Sequence, residues 1–396
     1  MERILLIICL LIPAGLFAQT EMPVIRAGSD ETLIFEEGDT EGRDWYLAPD
    51  ARPDVYELDK TTDRKWVTLR TDQDSIRLSL APGESQDFLV LLNGKDTCWN
   101  RFVNKLPNTQ FRDQSPVTHD TIPFELTPFN NVKMKTRVDG KEELDLKFDS
   151  GALGLVLTHD ILLDNKKRFE AGETTVNLLE KGAVHSLQLG NEKWDQQLIW
   201  PTRLSGQGTV GRFGWDLFDW RVLEIDFDNE RFIIHSRLDE IPEGYTRFEI
   251  DYEREGFCLH GTLTIGGKEQ PCKFLVDNGY QRAVLLDAAL MREEGFSEDL
   301  TVIKTNELRD GQGNVIKTQI VNGDLLQFGE LSLANVPVQI LDQPNPAGFK
   351  VHFLGGEVLK RFNTIFDFQN GYIYLQPNHL LAETYADGIA AKDNDE

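Results

Sequence analysis

Alternation of apolar and polar residues with period two dominates this chain. Ser75-Ile76-Arg77-Leu78-Ser79-Leu80 places an apolar residue at every second position, and Pro82-Gly83 follows as a turn. Asp87 to Leu92 is a second such run and ends at Asn93-Gly94. Thr32 to Phe35 and Lys65 to Leu69 read the same way. This pattern marks half-buried strands. Residues 19–122 are therefore predicted to form an N-terminal β-rich, sandwich-like domain. Its Trp45, Tyr46, Trp66 and Trp99 either belong to the core or line a ligand groove. The polar stretch from Pro107 to Pro123 is the predicted boundary.

Beyond that boundary the pattern repeats on a larger scale. Leu144, Leu146 and Phe148 alternate and deliver Asp149-Ser150-Gly151-Ala152, after which Leu153 to Leu157 is again apolar. Phe274-Leu275-Val276 delivers Asp277-Asn278-Gly279, and another apolar run follows, ending at Leu286. The flanks correspond too. Phe124-Glu125-Leu126 matches Phe248-Glu249-Ile250, and the turn Asp139-Gly140-Lys141 matches Gly266-Gly267-Lys268. Downstream, Gly214 leads to Ile225-Asp226-Phe227, and Gly355 leads to Phe366-Asp367-Phe368. In both copies the glycine and the later aspartate are 12 residues apart. The first aspartates are offset by 128 residues and the later ones by 141. That is too long for a solenoid repeat and fits one lobe per copy, residues 123–246 and 247–378. A short helix is expected at Leu157 to Leu163.

The two Asp-x-Gly turns, and the two glycine segments that lead to Ile-Asp-Phe and Phe-Asp-Phe, resemble the pepsin/retropepsin family of aspartic proteases. The resemblance covers residues 123–377. It implies a mainly β fold with two pseudo-twofold-related β-barrel lobes in one chain, an internal duplication, each lobe giving one aspartate to a shared site. Asp149 and Asp277 are then the catalytic pair, within hydrogen-bond reach directly or through one water. Two apposed carboxyls cannot both ionise easily, so one pKa rises and the pair can supply both acid and base. Ser150, Gly151, Asn278 and Gly279 support the active-site loops. In the family a Ser or Thr hydroxyl braces one loop against the other; Ser150 matches, and Asn278 departs from that pattern. The Asn278 amide is expected to bond its own loop or turn outward, leaving Asp277 less firmly placed. Asp310-Gly311-Gln312-Gly313-Asn314 lies where the family carries a mobile flap. Gly311, Gln312 and Gly313 are its candidate substrate-binding residues, or the tip of a plain exposed hairpin.

Charge and composition narrow the alternatives. The net charge of −25, with no basic stripe, excludes a nucleic acid partner. Residues 1–18 carry one arginine before an apolar run from Ile4 to Ile12, too short to span a bilayer. They read as a removed export signal, giving a periplasmic, surface or extracellular protein without stable membrane insertion. Residues 379–396 hold few large apolar groups and are expected to be a disordered acidic tail. Beyond Cys9 the cysteines are Cys98, Cys258 and Cys272, either three buried thiols or a Cys258–Cys272 bridge with one thiol left over. No zinc spacing, P-loop, dinucleotide fingerprint or serine elbow is present, so neither metal nor cofactor is expected. Asp226 and Asp367, the second symmetric aspartates, sit among turn residues and read as structural.

The expectation is therefore a monomeric aspartic endopeptidase acting on a peptide or protein substrate. The alternative is a catalytically silent protease fold that binds peptides or serves surface assembly, argued from Asn278 and from an N-terminal domain that could be the main binding module. A carbohydrate-associated surface protein is a third reading and rests only on the N-terminal aromatics.

Overall fold

The computed structural model describes residues 22–39, 41–61, 63–105, 116–141, 143–164, 185–206, 208–254, 256–297, 299–309, 313, 315–341 and 350–387. The expected export signal lies outside the described residues. The chain divides into two compact units, Met1–Pro107 and Asn108–Glu396. No helix among the described residues is long and apolar enough to cross a membrane.

The first unit is built from two four-stranded sheets. One has the order Val24–Ala27, Ser85–Leu92, Asp96–Val103, Asp54–Glu57, and the other Arg43–Tyr46, Glu31–Glu36, Lys65–Arg70, Ser75–Leu80. Period-two alternation turns Phe88, Val90, Val67 and Leu69 into one shared core with Ile34 and Phe102. Trp45 packs edge-on against Tyr56, ring centroids 5.5 Å apart, and donates Nε1 to Asn100 Oδ1. Trp99 donates to Asp87 Oδ2, while Tyr46 and Trp66 are exposed. Adjacent strand residues face opposite sides, so Trp45 and Tyr46 cannot share a surface. The four aromatics do not line one groove.

The second unit is also almost entirely β, and its division from the first lies within the polar stretch Pro107 to Pro123. His119–Pro123 pairs with Arg231–His235, with His119 opposite His235, so the division falls at the start of that stretch. A six-stranded sheet runs through the middle, in the order Thr246–Glu249, Tyr372–Pro377, Phe362–Asp367, Val222–Asp226, Arg231–His235, His119–Pro123. Its central pair joins the two halves of the unit, with Leu223 opposite Phe366. Every residue of Phe362–Asp367 is buried, as expected for a strand covered on both faces. Across this seam Trp215 packs on Phe257 and Phe368 at 5.3 and 5.2 Å.

Each half adds an eight-stranded sheet, and the two sheets share one set of pairings. Glu143–Asp149 runs parallel to Gly211–Gly214, placing Asp149 opposite Gly214. Lys268–Asp277 runs parallel to His352–Gly355, placing Asp277 opposite Gly355. In both halves the strand after the aspartate loop, Leu155–Thr158 or Val284–Asp287, returns antiparallel to the glycine strand. The glycines are required by this threading. A Cβ on Gly214 would lie 2.4 Å from Ala152 O, and one on Gly355 would lie 2.0 Å from Arg282 O. The short helix of the first half is His159–Asp164; its counterpart, Ala288–Glu294, is capped by Asp287, which accepts from Ala289 and Leu290 N–H groups.

Of the two cysteine alternatives the three buried thiols hold, and the expected disordered tail is corrected. Cys98, Cys258 and Cys272 are all free and buried. Cys258 stands opposite Leu275 and Cys272 opposite Gly261 on the paired strands, so the hairpin does not bring the two sulfurs together. Residues 379–387 are packed instead of forming a tail. The buried Arg361 guanidinium donates from Nη1 to Leu380 O and Leu381 O at 3.0 and 2.8 Å and stacks on Tyr385. Asp387 pairs with Arg282 and Lys304 at 3.3 and 2.5 Å. Composition missed this because three large side chains and a few specific polar contacts suffice to order the segment. Residues 388–396 lie outside the described residues.

The threading gives a stability prediction. Gly355→Ala should lose about 3 kcal/mol or more in denaturant unfolding, because the added methyl meets backbone that cannot give. Gly267→Asn should stay within about 0.5 kcal/mol of the parent, since that turn glycine has open space and a φ that asparagine tolerates.

Candidate active site

Asp149 and Asp277 end corresponding strands, and the loops after them cross. A Cβ on Gly151 would lie 2.4 Å from Asp277 Cγ, and a Cβ on Gly279 would lie 2.2 Å from Asp149 Oδ1. Each carboxyl thus rests against the glycine of the opposite loop, and only glycine permits that approach. Each is also anchored by its own loop: Gly151 N–H donates to Asp149 Oδ1 at 3.2 Å, and Tyr280 N–H to Asp277 Oδ1 at 3.0 Å.

Ser150 and Asn278 lock the crossing reciprocally. Asn278 N–H donates to Ser150 Oγ at 2.9 Å, and Ser150 N–H donates to Asn278 Oδ1 at 2.6 Å. The expected failure of Asn278 to brace the loops is therefore corrected. Its longer side chain reaches the far loop, and its carbonyl oxygen accepts where a hydroxyl was looked for. The cost falls on the other end of the amide: Asn278 Nδ2 is buried without a hydrogen-bond partner.

The electrostatics of the pair are lopsided. The Asp277 carboxyl is pushed up to about 7, first by burial and second by the facing charge of Asp149, with Lys147 opposing. Lys147 Nζ donates to Gly279 O at 2.9 Å and lies 3.5 Å from Asp149 Oδ2. Arg212 Nε lies 3.5 Å from the same oxygen. Sequence reasoning missed both cations. Lys147 was readable, since it stands two residues before Asp149 and so shares its strand face. Arg212 needed the register, which sets it beside Lys147.

Other acids take supporting places. Asp216 Oδ1 accepts the Gly154 N–H at 2.8 Å, holding the chain beyond the first loop; burial raises its pKa. At the corresponding position Glu357, also raised by burial, accepts the Ala386 N–H at 2.6 Å. Asp226 and Asp367 each close their own turn. Asp226 accepts from Asn229 N and Nδ2, and Asp367 from Gln369 N, Asn370 N and Asn370 Nδ2.

The flap candidates are partly visible. Val302–Arg309 and Val315–Phe328 form a hairpin, with Arg309 opposite Val315. Gly311 and Gln312 lie outside the described residues. Gly313 has a φ of +83°, and a Cβ there would lie 3.9 Å from Leu204 Cδ1, so the tip of the second-half hairpin reaches the first half.

One cluster could hold a metal by its donor set: Cys272, Glu294 and His352, with ligand atoms all within 4.8 Å of one another. It closes on itself through hydrogen bonds. His352 Nε2 meets Glu294 Oε2 at 2.9 Å, and Nδ1 accepts the Asp287 N–H at 3.2 Å. Burial, and then Glu294, push the Cys272 thiol up to about 12.

No protein-family model matches the chain, and no curated protein matches it.

Two outcomes follow from this geometry. Asn278→Ala should destabilise by about 1–3 kcal/mol in chemical denaturation, because it strips the acceptor from a buried N–H. Asn278→Thr, which keeps an acceptor and removes the orphaned Nδ2, should lose less. The second concerns pH. Between about pH 4 and 7 the folded protein holds a proton on Asp277 that the unfolded chain releases, so this group lowers stability as pH rises through that window. Asp277→Asn removes that slope. Its stability relative to the parent should rise from pH 4 to 7, by at most about 1.4 kcal/mol per unit, then level off.

Proposed function

We propose that the protein is an aspartic endopeptidase, exported from the cell, whose second unit is an internally duplicated pair of protease lobes. The observation that carries this reading is the crossed placement of the two carboxyls, each against the other loop's glycine. Turn or cap aspartates have no need of such an arrangement. The reciprocal Ser150–Asn278 brace supports it, because it fixes the two loops relative to each other.

The chemistry follows from the asymmetry of the pair. The shared proton rests on Asp277, whose carboxyl is raised to about 7. Asp149 supplies the carboxylate. A water between them gives a proton to Asp149 as its oxygen attacks the peptide carbonyl carbon, and Asp277 gives its proton to the carbonyl oxygen. The tetrahedral species then collapses: the C–N bond breaks, Asp149 passes its proton to the leaving nitrogen, and a hydroxyl of the gem-diol returns one to Asp277. Both carboxyls come from one chain, so the site needs no second copy.

The silent peptide-binding reading loses its argument from Asn278, which makes the brace. It keeps one observation: Lys147 stands 3.5 Å from Asp149 Oδ2, close enough to neutralise the base. Incubation with an unfolded protein substrate separates the two. The expected result is pepstatin-sensitive cleavage that is lost in Asp149→Asn by about a thousandfold or more, with the fold retained. Binding of peptides without cleavage over pH 4–8 would instead establish the silent fold.

A further inference from the structure

Two cations stand on the floor of the site, both on the side of Asp149. Lys147 and Asp149 lie on one strand face, opposite the core residue Phe148. Arg212, the register partner of Lys147, lies on the same face, opposite the core residue Phe213. The second half answers differently. Its corresponding positions are Leu275, two residues before Asp277, and Phe353, the register partner of Leu275. Both belong to an apolar cluster with Ile316 and Val351. Two cations therefore stand beside Asp149, and two apolar side chains beside Asp277.

The cations are not equally satisfied. The Lys147 side chain is 5% exposed and its ammonium bonds Gly279 O at 2.9 Å. The Arg212 side chain is 24% exposed. Its Nε is buried without a hydrogen-bond partner, and its 3.5 Å approach to Asp149 is too long for a good one. Among the described residues nothing else accepts from this guanidinium. An arginine left so open beside a reactive pair is a site waiting for an acceptor. The planar fork of the guanidinium suits a carboxylate in two-point contact.

We propose that Arg212 is a specificity-determining residue that receives a carboxylate of the bound peptide, from an acidic side chain or a chain terminus, close to the bond presented to Asp149 and Asp277. This inference rests on the protease reading for the identity of the ligand as a peptide. The surface charge of −25 disfavours acidic peptides elsewhere. Screening over about 8 Å leaves the local cations to decide at the site.

The test uses the full chain and matched peptides: Glu against Gln at each position flanking the central bond, and a free against an amidated C-terminus. Cleavage is read with the parent protein. Binding is read by fluorescence anisotropy with Asp277→Asn, whose amide keeps the neutral state of a protonated carboxyl. The expected result is a preference of roughly tenfold or more for one carboxylate-bearing peptide, in kcat/KM and in Kd. Arg212→Gln should reduce that preference to under about twofold in Kd and in kcat/KM, read as the ratio between matched peptides and not as the rate on either one. If Arg212→Gln does not fold, Arg212→Lys carries the test, with an expected partial loss because the charge stays and the fork goes. Cleavage without carboxylate preference, or a preference that survives Arg212→Gln, overturns the inference and leaves the enzyme standing. Arg212-dependent binding of acidic peptides with no cleavage sinks the enzyme and leaves the carboxylate subsite standing.

Discussion

Two chain segments cross so closely that each loop's glycine lies where the other's carboxyl packs, and the rest of the second unit holds that crossing in place. Ser150 and Asn278 exchange hydrogen bonds at its centre. Gly214 and Gly355 let the neighbouring strands thread past without side chains in the way. The central six-stranded sheet, with Val222–Asp226 against Phe362–Asp367, fixes the distance between the halves. A small error anywhere in this frame would part the carboxyls. That explains why the seam is built from fully buried strand and stacked rings such as Phe366 and Phe368, 5.7 Å apart, and not from mobile loops.

Symmetry positions the pair, and broken symmetry gives it roles. Lys147 and Arg212 occupy the places that Leu275 and Phe353 take in the other half. The backbone treats the two halves alike, down to the Asp–Gly register opposite each aspartate. The side chains do not. Burial and the facing Asp149 raise the Asp277 carboxyl, and the two cations stand on the Asp149 side, so two like groups sit in unlike surroundings.

The two matching Asp–Gly registers were legible in sequence because glycines and strand alternation are local signals. Asp149, Asp277, Gly214 and Gly355 announce themselves through spacing, and the period-two runs of residues 65–92 foretold the strands of the first unit. What sequence concealed were facts of reach and partner. Whether the Asn278 amide can span to Ser150 depends on the distance between two loops 128 residues apart in the chain. The order in residues 379–387 depends on Arg361, a buried cation that needs the carbonyls of Leu380 and Leu381. Cys272, Glu294 and His352 have no motif spacing, because three separate elements bring them together. Alternation could have flagged Lys147, a charge on a strand otherwise reading as interior. Arg212 could be assigned only after the parallel register was known.

The chain also contains a second symmetric pair of aspartates for comparison. Asp226 and Asp367 are as symmetric as Asp149 and Asp277, and each follows a strand into a turn. Yet every oxygen of Asp226 and Asp367 accepts a hydrogen bond from its own turn. Around Asp149 and Asp277 the accounts stay open: Asn278 Nδ2 and Arg212 Nε are buried without partners, and Asp277 holds a raised carboxyl. A fold selected for stability alone would close such gaps, since each costs about 1–3 kcal/mol. The same residue type is closed in by its own turn at one pair of positions and stands beside unpartnered neighbours at the other.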